Sequence, residues 1–391
     1  MRLKFWKVWF FLLAVVVAFT CVGHSPMPSY YYPLALVATL PFIITNRYQI
    51  SYEMLFLLAA ALISLIVGQP DARFKSLPRL GYFVLMCLVV SPLLRTPRIM
   101  KYRRALLRYL LFLIVLLSIG SFFCYFLGIN LMQIDEGALS REDFSIGGTF
   151  GGLTKHSMIL GPLSALAILY ILCSTRYFMR RRWIKIPLAL LAAGALLFSS
   201  SRGSIIAAGI ALLFLIYKHS TNRTRFFKIV LLILLVAVAT FPLWEFALQG
   251  IIYKNVHRAG SDGGFFASRI YLYRHRFNEF MSNPITGVGF ASAMRYDYFE
   301  VHLSGTVEYG NSWLCVFSTM GLLGAVPLFI LLGTSFMRVF RVTEKNREAL
   351  FLASGLVFFF IHFMLEGYIF SAGSPLCFLF WLFVCLAYDT H

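Results

Sequence analysis

The chain alternates long apolar runs with short polar ones, and most of the runs approach the length of a bilayer crossing. A spanning helix needs about 20 apolar residues. Twelve stretches meet that pattern: 5–22, 30–45, 50–67, 80–94, 105–128, 153–173, 184–200, 202–217, 227–248, 312–336, 349–370 and 374–388. The second, fourth and twelfth are short. The seventh and eighth run together over roughly twice a bilayer's thickness, so a turn must divide them, and "SSSRG" is the break available. The pattern predicts an all-α polytopic membrane protein, a single transmembrane domain over 1–391 with about 12 transmembrane helices. The basic start "MRLKFWKVW" before an apolar run resembles a signal peptide, but no small-residue cleavage site follows, and it reads as a retained first span.

Composition agrees and removes other classes. Sixty per cent of the residues are hydrophobic, 13% are charged, and the mean hydropathy is +0.78, far from a soluble domain. The excess of base, +19, is broken into clusters between apolar runs, which is an orientation code rather than a groove for nucleic acid. With the N-terminus inside, the inner clusters are Arg2, Lys4 and Lys7; Arg47; "RTPRIMKYRRALLR"; "RYFMRRRWIK"; "KHSTNRTRFFK"; and "RVFRVTEKNR". Together they hold 23 of the 35 basic residues. The outer connections are neutral, acidic or tiny, except the 63-residue segment 249–311 and "QPDARFKSLPR", whose three basic residues are out of step. Both termini are then cytoplasmic. The seven cysteines lie in apolar segments without a C-x-x-C, so neither a disulfide framework nor a metal site is expected.

Orientation places Arg202 at the outer end of two antiparallel helices, in "SSSRG". A guanidinium in an apolar setting is costly enough to be kept for a purpose or sited at an interface. One reading is an arginine snorkelling to the headgroups; the other is an anion ligand. In the outer segment 249–311 a helical stretch, "FFASRIYLYRHRFNEFMSNP", sets Arg269, Tyr273, Arg276 and Phe280 on one face. A helix lying on the membrane surface explains that mixture without catalysis. Pro284 ends the stretch, and "NPITGVGF" is a glycine-rich turn with no strand before it, hence no dinucleotide fingerprint. The outer loop 129–152 leads into "GGTFGGLTKHS", where glycine backbone, Lys155, His156 and a helix start would suit a phosphate, although a plain loop entering the membrane fits as well. Several cations at one membrane surface would suit a lipid-linked diphosphate or an anionic solute in transit.

Four stretches in this order, "GTFGGLTKHSMILG", "SSSRGSIIAAG", "SRIYLYRHRFNEFMSNPITGVGF" and "EYGNSWLCVFSTMGLLG", resemble the bacterial O-antigen polymerase and O-antigen ligase family, over roughly residues 145–335. The resemblance implies a GT-C-like inner-membrane glycosyltransferase whose loops 129–152 and 249–311 are periplasmic. It implies undecaprenyl-diphosphate-linked oligosaccharides as donor and acceptor, membrane lipid and a chain-length regulator protein as partners, inversion at the sugar, and no metal or other cofactor. By motif position Arg202 and Arg269 correspond to the family's essential arginines, which would stabilise charge growing on the leaving diphosphate. Lys155, His156, Arg276 and Asn311 would help to hold that diphosphate.

The last motif departs from the ligase pattern. Ligases of the family carry histidines just before the asparagine, whereas this chain has Glu308 and Gly310 there, with Asn311 kept and His302 out of register. Glu308 is then the expected general base, and polymerase is preferred to ligase. A non-catalytic transporter of lipid-linked sugars is the reading from another class. Transporters keep ionisable groups and broken helices near mid-membrane, whereas here the charges gather at one face.

Overall fold

The computed structural model describes residues 2–23, 49–132, 150–174, 181–220, 222–248, 267–294, 310–344 and 346–390. Helices occupy eleven of the twelve expected spans, and the remaining one, 30–45, lies outside the described residues. They are α1 Arg2–Cys21, α2 Tyr52–Gly68, α3 Ser76–Val90, α4 Pro97–Phe126, α5 Ser157–Cys173, α6 Arg182–Phe198, α7 Arg202–His219, α8 Arg223–Ala239, then α10 Ser312–Arg341, α11 Arg347–His362 and α12 Pro375–Tyr388. Helix α9, Ala267–Ser282, lies within the large segment between α8 and α10. By length and composition α4, α7 and α10 are able to cross a membrane, while α2, α5, α12 and most of α1 and α6 are apolar but shorter.

The helix starts follow from local chemistry. Ser51, Thr96 and Asn222 each accept a hydrogen bond from a backbone N–H in the first turn of α2, α4 and α8, satisfying donors that the helix leaves unpaired. Pro97, at the first position of α4, lacks only an N–H that the helix would not use. Burial then divides the helices. Every residue of α12 is buried, whereas α8 buries none and exposes Leu231, Leu232, Ile233, Leu234 and Leu235. The first is apolar all round and forms the centre of the bundle; the second is basic over its first two turns, and its apolar remainder is exposed. Around α12 stand α10, α11, α3 and α4, with α7 packed along α11 and α5 against α6.

The expected span 312–336 is a broken helix. Gly321 leaves helical geometry (φ 59°, ψ −157°), and the glycine-rich turn after α9 fills the break. Leu322 and Leu323 donate their freed N–H groups to the carbonyls of Pro284 and Ile285 at 2.8 and 3.0 Å. In return Val288 and Gly289 donate to the carbonyls of Ser318 and Thr319 at 2.9 and 3.2 Å. A Cβ at Gly287 would run into the Thr319–Met320 peptide, so this close approach requires glycine there. Irregular backbone beside apolar helices is tolerated because protein covers it. Since the turn's own backbone occupies the break, these groups are not left open to a solute.

The helix ends gather in two groups. In one, the Cys21 carbonyl accepts from Lys155 N–H, Gly68 abuts Gly289, Gly203 meets Leu365, and Phe198 stacks on Tyr125. In the other, Gln49–Ile50 pairs antiparallel with Leu94–Arg95, the Tyr388 hydroxyl donates to Glu53, and Arg338 lies over the Tyr388 ring. The first group joins connections that the charge pattern assigns to the outer side, the second those it assigns to the inner side. One arginine of the second group is structural: Arg103, 1% exposed, donates to the carbonyls of Leu88, Val89 and Leu94. It thereby closes the last turn of α3, where a helix favours positive charge.

Candidate active site at the helix ends around Arg202

Helix α6 ends at Phe198, and Ser199–Ser201 turn the chain directly into α7. Ser200 takes a left-handed conformation (φ 51°), which lets the reversal be this tight. Ser201 is the N-cap and Arg202 the first helical residue, half-buried. The N-terminus of a helix carries partial positive charge, so an arginine there works against the macrodipole and for an anion. The turn seats on α5 at Gly161, where a Cβ would lie 2.7 Å from that of Ser201 and 2.8 Å from Ser204 Oγ.

A chain of polar groups runs inward from this turn. Ser201 Oγ is 2.8 Å from Ser204 Oγ, Ser204 Oγ is 3.0 Å from His362 Nε2, and His362 Nδ1 is 2.7 Å from the Tyr368 hydroxyl. Ser204, His362 and Tyr368 are buried. Tyr368 lies in the connection 363–374 between α11 and α12, where burial, with the nearby Glu366 carboxylate adding to it, pushes its phenol well above the usual range. It therefore stays protonated.

That connection is the hub of the site. The Ser312 amide donates to the carbonyls of Phe363 and Glu366 at 2.8 and 3.0 Å, tying it to the start of α10. Tyr273 of α9 donates its hydroxyl to the Met364 carbonyl at 2.6 Å, and Leu365 packs over Gly203. The turn bearing Arg202, the start of α10 and α9 therefore converge on residues 363–366.

The expected site residues divide accordingly. Arg202 lies at this convergence. Asn311 lies there too, as the N-cap of α10: its Oδ1 accepts from Trp313 and Leu314 N–H at 2.8 and 3.0 Å. His156 caps α5, with Nδ1 accepting from Met158 N–H at 3.1 Å, and Lys155 precedes it. Both stand at the start of the helix whose Gly161 supports the Arg202 turn. Arg276 is sealed in protein: it is 0% exposed and donates to Glu279 Oε2 at 2.6 Å. The other Glu279 oxygen lies 3.2 Å from His275 Nε2 and accepts from Met294 N–H at 2.7 Å. The inward face of α9 is Leu272, His275, Arg276 and Glu279, so this helix packs on α10 rather than lying free on a surface. Arg269 occupies the first turn of α9, with its side chain outside the described part, and Glu308 lies outside the described residues.

Sequence reasoning missed Ser204, His362 and Tyr368. The signal was present in "IHFMLEGYIFSAGS", where His362, Glu366, Gly367 and Tyr368 interrupt what was read as one span over 349–370. Helix α11 stops at His362. Among the described residues no group of His, Cys, Asp or Glu is arranged to hold a metal ion.

Fold and site together define an all-α protein of membrane type, with cationic groups and helix starts collected at one end of the bundle. Residues 186–329, from α6 into α10, match the family model described as O-antigen ligase. The matched region contains Arg202, Arg269, Arg276, Glu308 and Asn311; Lys155, His156, His362 and Tyr368 lie beyond it. No curated protein matches the chain.

Proposed function

We propose that this chain is an inner-membrane glycosyltransferase that polymerises undecaprenyl-diphosphate-linked oligosaccharide repeat units at the periplasmic face. A hydroxyl of the acceptor repeat unit attacks C1 of the donor sugar from the side opposite the leaving group. The C1–O bond to the diphosphate breaks with inversion, and the lipid diphosphate departs with the bonding pair. Glu308 takes the proton of the attacking hydroxyl. Arg202, together with Arg269, meets the charge that grows on the leaving diphosphate, where fixed guanidinium groups act without reorganisation. Lys155 and His156, at the start of α5, extend the same cationic end. The observation that carries this reading is the position of Arg202, first in α7 and at the convergence of α10 and residues 363–366.

A ligase that transfers the glycan to a lipid A core sugar is the second reading, favoured by the description of the matched family. Position 310 speaks for the polymerase. Gly310 has φ +65°, and a Cβ there would press on Leu272, so a histidine in the ligase manner would be strained. Deleting the gene separates the two. Single repeat units on lipid A core would mean a lost polymerase, and no transferred glycan a lost ligase. Glu308→Gln should abolish turnover while leaving donor binding largely intact; near-normal polymer from that variant would remove Glu308 from the mechanism.

A further inference from the structure

At the opposite end of the bundle from Arg202, a cavity of about 360 Å³ opens between α4, α5 and α11. Its volume lies within the range of small-ligand sites, about 300–1,000 Å³. Arg104, Leu107, Arg108 and Leu111 line it from one face of α4, and Arg347, Glu348 and Phe351 from the first turns of α11. Three arginines therefore share the lining with leucine and phenylalanine side chains.

The balance of charge there is incomplete. Glu348 reaches Arg104 Nε at 3.8 Å and Arg108 Nη2 at 3.4 Å, and Asp389 takes Arg104 Nη2 at 3.4 Å. Among the described residues, two carboxylates are thus set among three guanidinium groups. Arg347 is the first residue of α11, a helix already capped by Asn346 through the N–H groups of Glu348 and Ala349. Helix geometry disfavours a cation at that end, so the position gains from an anion placed between it and Arg108.

Depth selects the kind of anion. From Tyr109 to Phe126 helix α4 runs through 18 residues, about 27 Å at the usual rise. That is close to the hydrocarbon thickness of about 30 Å. Arg104 and Arg108 precede this stretch, so they sit where headgroups sit, with Leu107, Leu111 and Phe351 against the first part of an acyl chain. Basic pockets between membrane helices recognise anionic headgroups in this manner. We propose that this cavity binds the phosphate headgroup of an anionic phospholipid, held by Arg104, Arg108 and Arg347. The inference uses the membrane reading of α4 and is independent of the glycosyl transfer proposed above.

The test uses purified full-length protein in micelles, with phosphatidylglycerol, phosphatidylcholine of the same acyl chains, and sodium phosphate as probes. Native mass spectrometry reads lipid retention, and thermal melting reads protection. Phosphatidylglycerol should be retained and protective, and phosphatidylcholine should not. Each arginine near a membrane surface contributes about a fivefold effect, so Arg108→Ala with Arg347→Ala should weaken phosphatidylglycerol binding by that factor per site. Glu348→Gln removes the competing carboxylate and should tighten binding several-fold, which keeps the test intact even if the double variant folds poorly. Equal retention of the two lipids, or affinity unmoved by Glu348→Gln, would overturn the proposal. Protection by sodium phosphate equal to that by phosphatidylglycerol would assign the cavity to a soluble phosphate and overturn it as well.

Discussion

Two regions at the same end of the bundle bring in an arginine that the sequence assigns to the diphosphate, and they treat it oppositely. In α9 the Arg276 guanidinium is buried against Glu279 at 2.6 Å, and the same carboxylate also gathers His275 and the Met294 amide. In the turn after α6, Arg202 is half-buried at a helix start, beside Ser201, Gly203 packed under Leu365, and the hydroxyl–imidazole chain through Ser204. A buried ion pair completes its own electrostatics and fastens α9 to the bundle. An arginine still partly exposed at the positive end of a helix stands where an anion from outside is favoured. The first is architecture; the second is where a substrate is expected.

That contrast is most severely tested by breaking the buried pair. Removing one partner of a buried ion pair leaves the other charged and desolvated, and typically costs about 3–5 kcal/mol. Glu279→Ala should therefore melt far below the parent protein and accumulate poorly, with activity lost in proportion to the folded fraction. If Glu279→Ala melted normally while losing turnover, Arg276 would rejoin the diphosphate-binding set.

Arg202→Ala should do the reverse. Loss of a donor that stabilises transition-state charge costs roughly a hundred- to a thousandfold in rate, and the melting temperature should fall far less than in Glu279→Ala. Arg202→Lys keeps the charge but loses the two-pronged geometry and should also be impaired. The measurement is polymer formed per folded protein, with thermal melting as the control. Full-length polymer at a normal rate from Arg202→Ala would return the residue to simple snorkelling.

The placement of helices was legible because bilayer thickness sets a length that apolar runs must meet. What hydropathy could not tell was which helix faces lipid and which faces protein, because both surroundings are apolar. Helix α12 is only 14 residues long and reads as a short span, yet it is the buried centre, while the apolar run of the longer helix α8 lies outside. The turn bearing Arg202 was legible as a polar break. Its partner His362 was not: it lies 158 residues from Ser204, and the aromatic residues around it hide the end of α11. In α9 the face chosen from sequence held Arg269, Tyr273, Arg276 and Phe280, whereas the buried face holds Leu272, His275, Arg276 and Glu279. A face chosen on arginine and aromatic positions passes over the histidine and glutamate that this helix buries with Arg276.

A smaller effect should follow from Gly161→Val. The new side chain would collide with Ser201 and Ser204, and overpacking of this kind costs about 1–3 kcal/mol. Because the strain falls on the turn that aims Arg202, turnover should drop by more than the loss of folded protein explains. A melting temperature lowered with specific activity unchanged would show that the turn tolerates displacement, and would weaken the case for a fixed guanidinium.

The mildest expected effect concerns Asn311, which the motif assigns to the substrate and the structure uses as a cap. Its Oδ1 accepts from two backbone N–H groups at the start of α10, and replacing such a cap by alanine typically costs about 1 kcal/mol. Aspartate caps as well as asparagine, and its charge suits the helix start. Asn311→Ala should therefore lower the melting temperature by a few degrees, and Asn311→Asp should leave both stability and polymer yield near normal. The informative comparison is between the two variants. An aspartate protein that melts normally but makes no polymer would mean that the amide N–H₂, absent from the cap, is needed by the sugar or diphosphate, and that Asn311 belongs with Arg202 rather than with the Arg276–Glu279 pair.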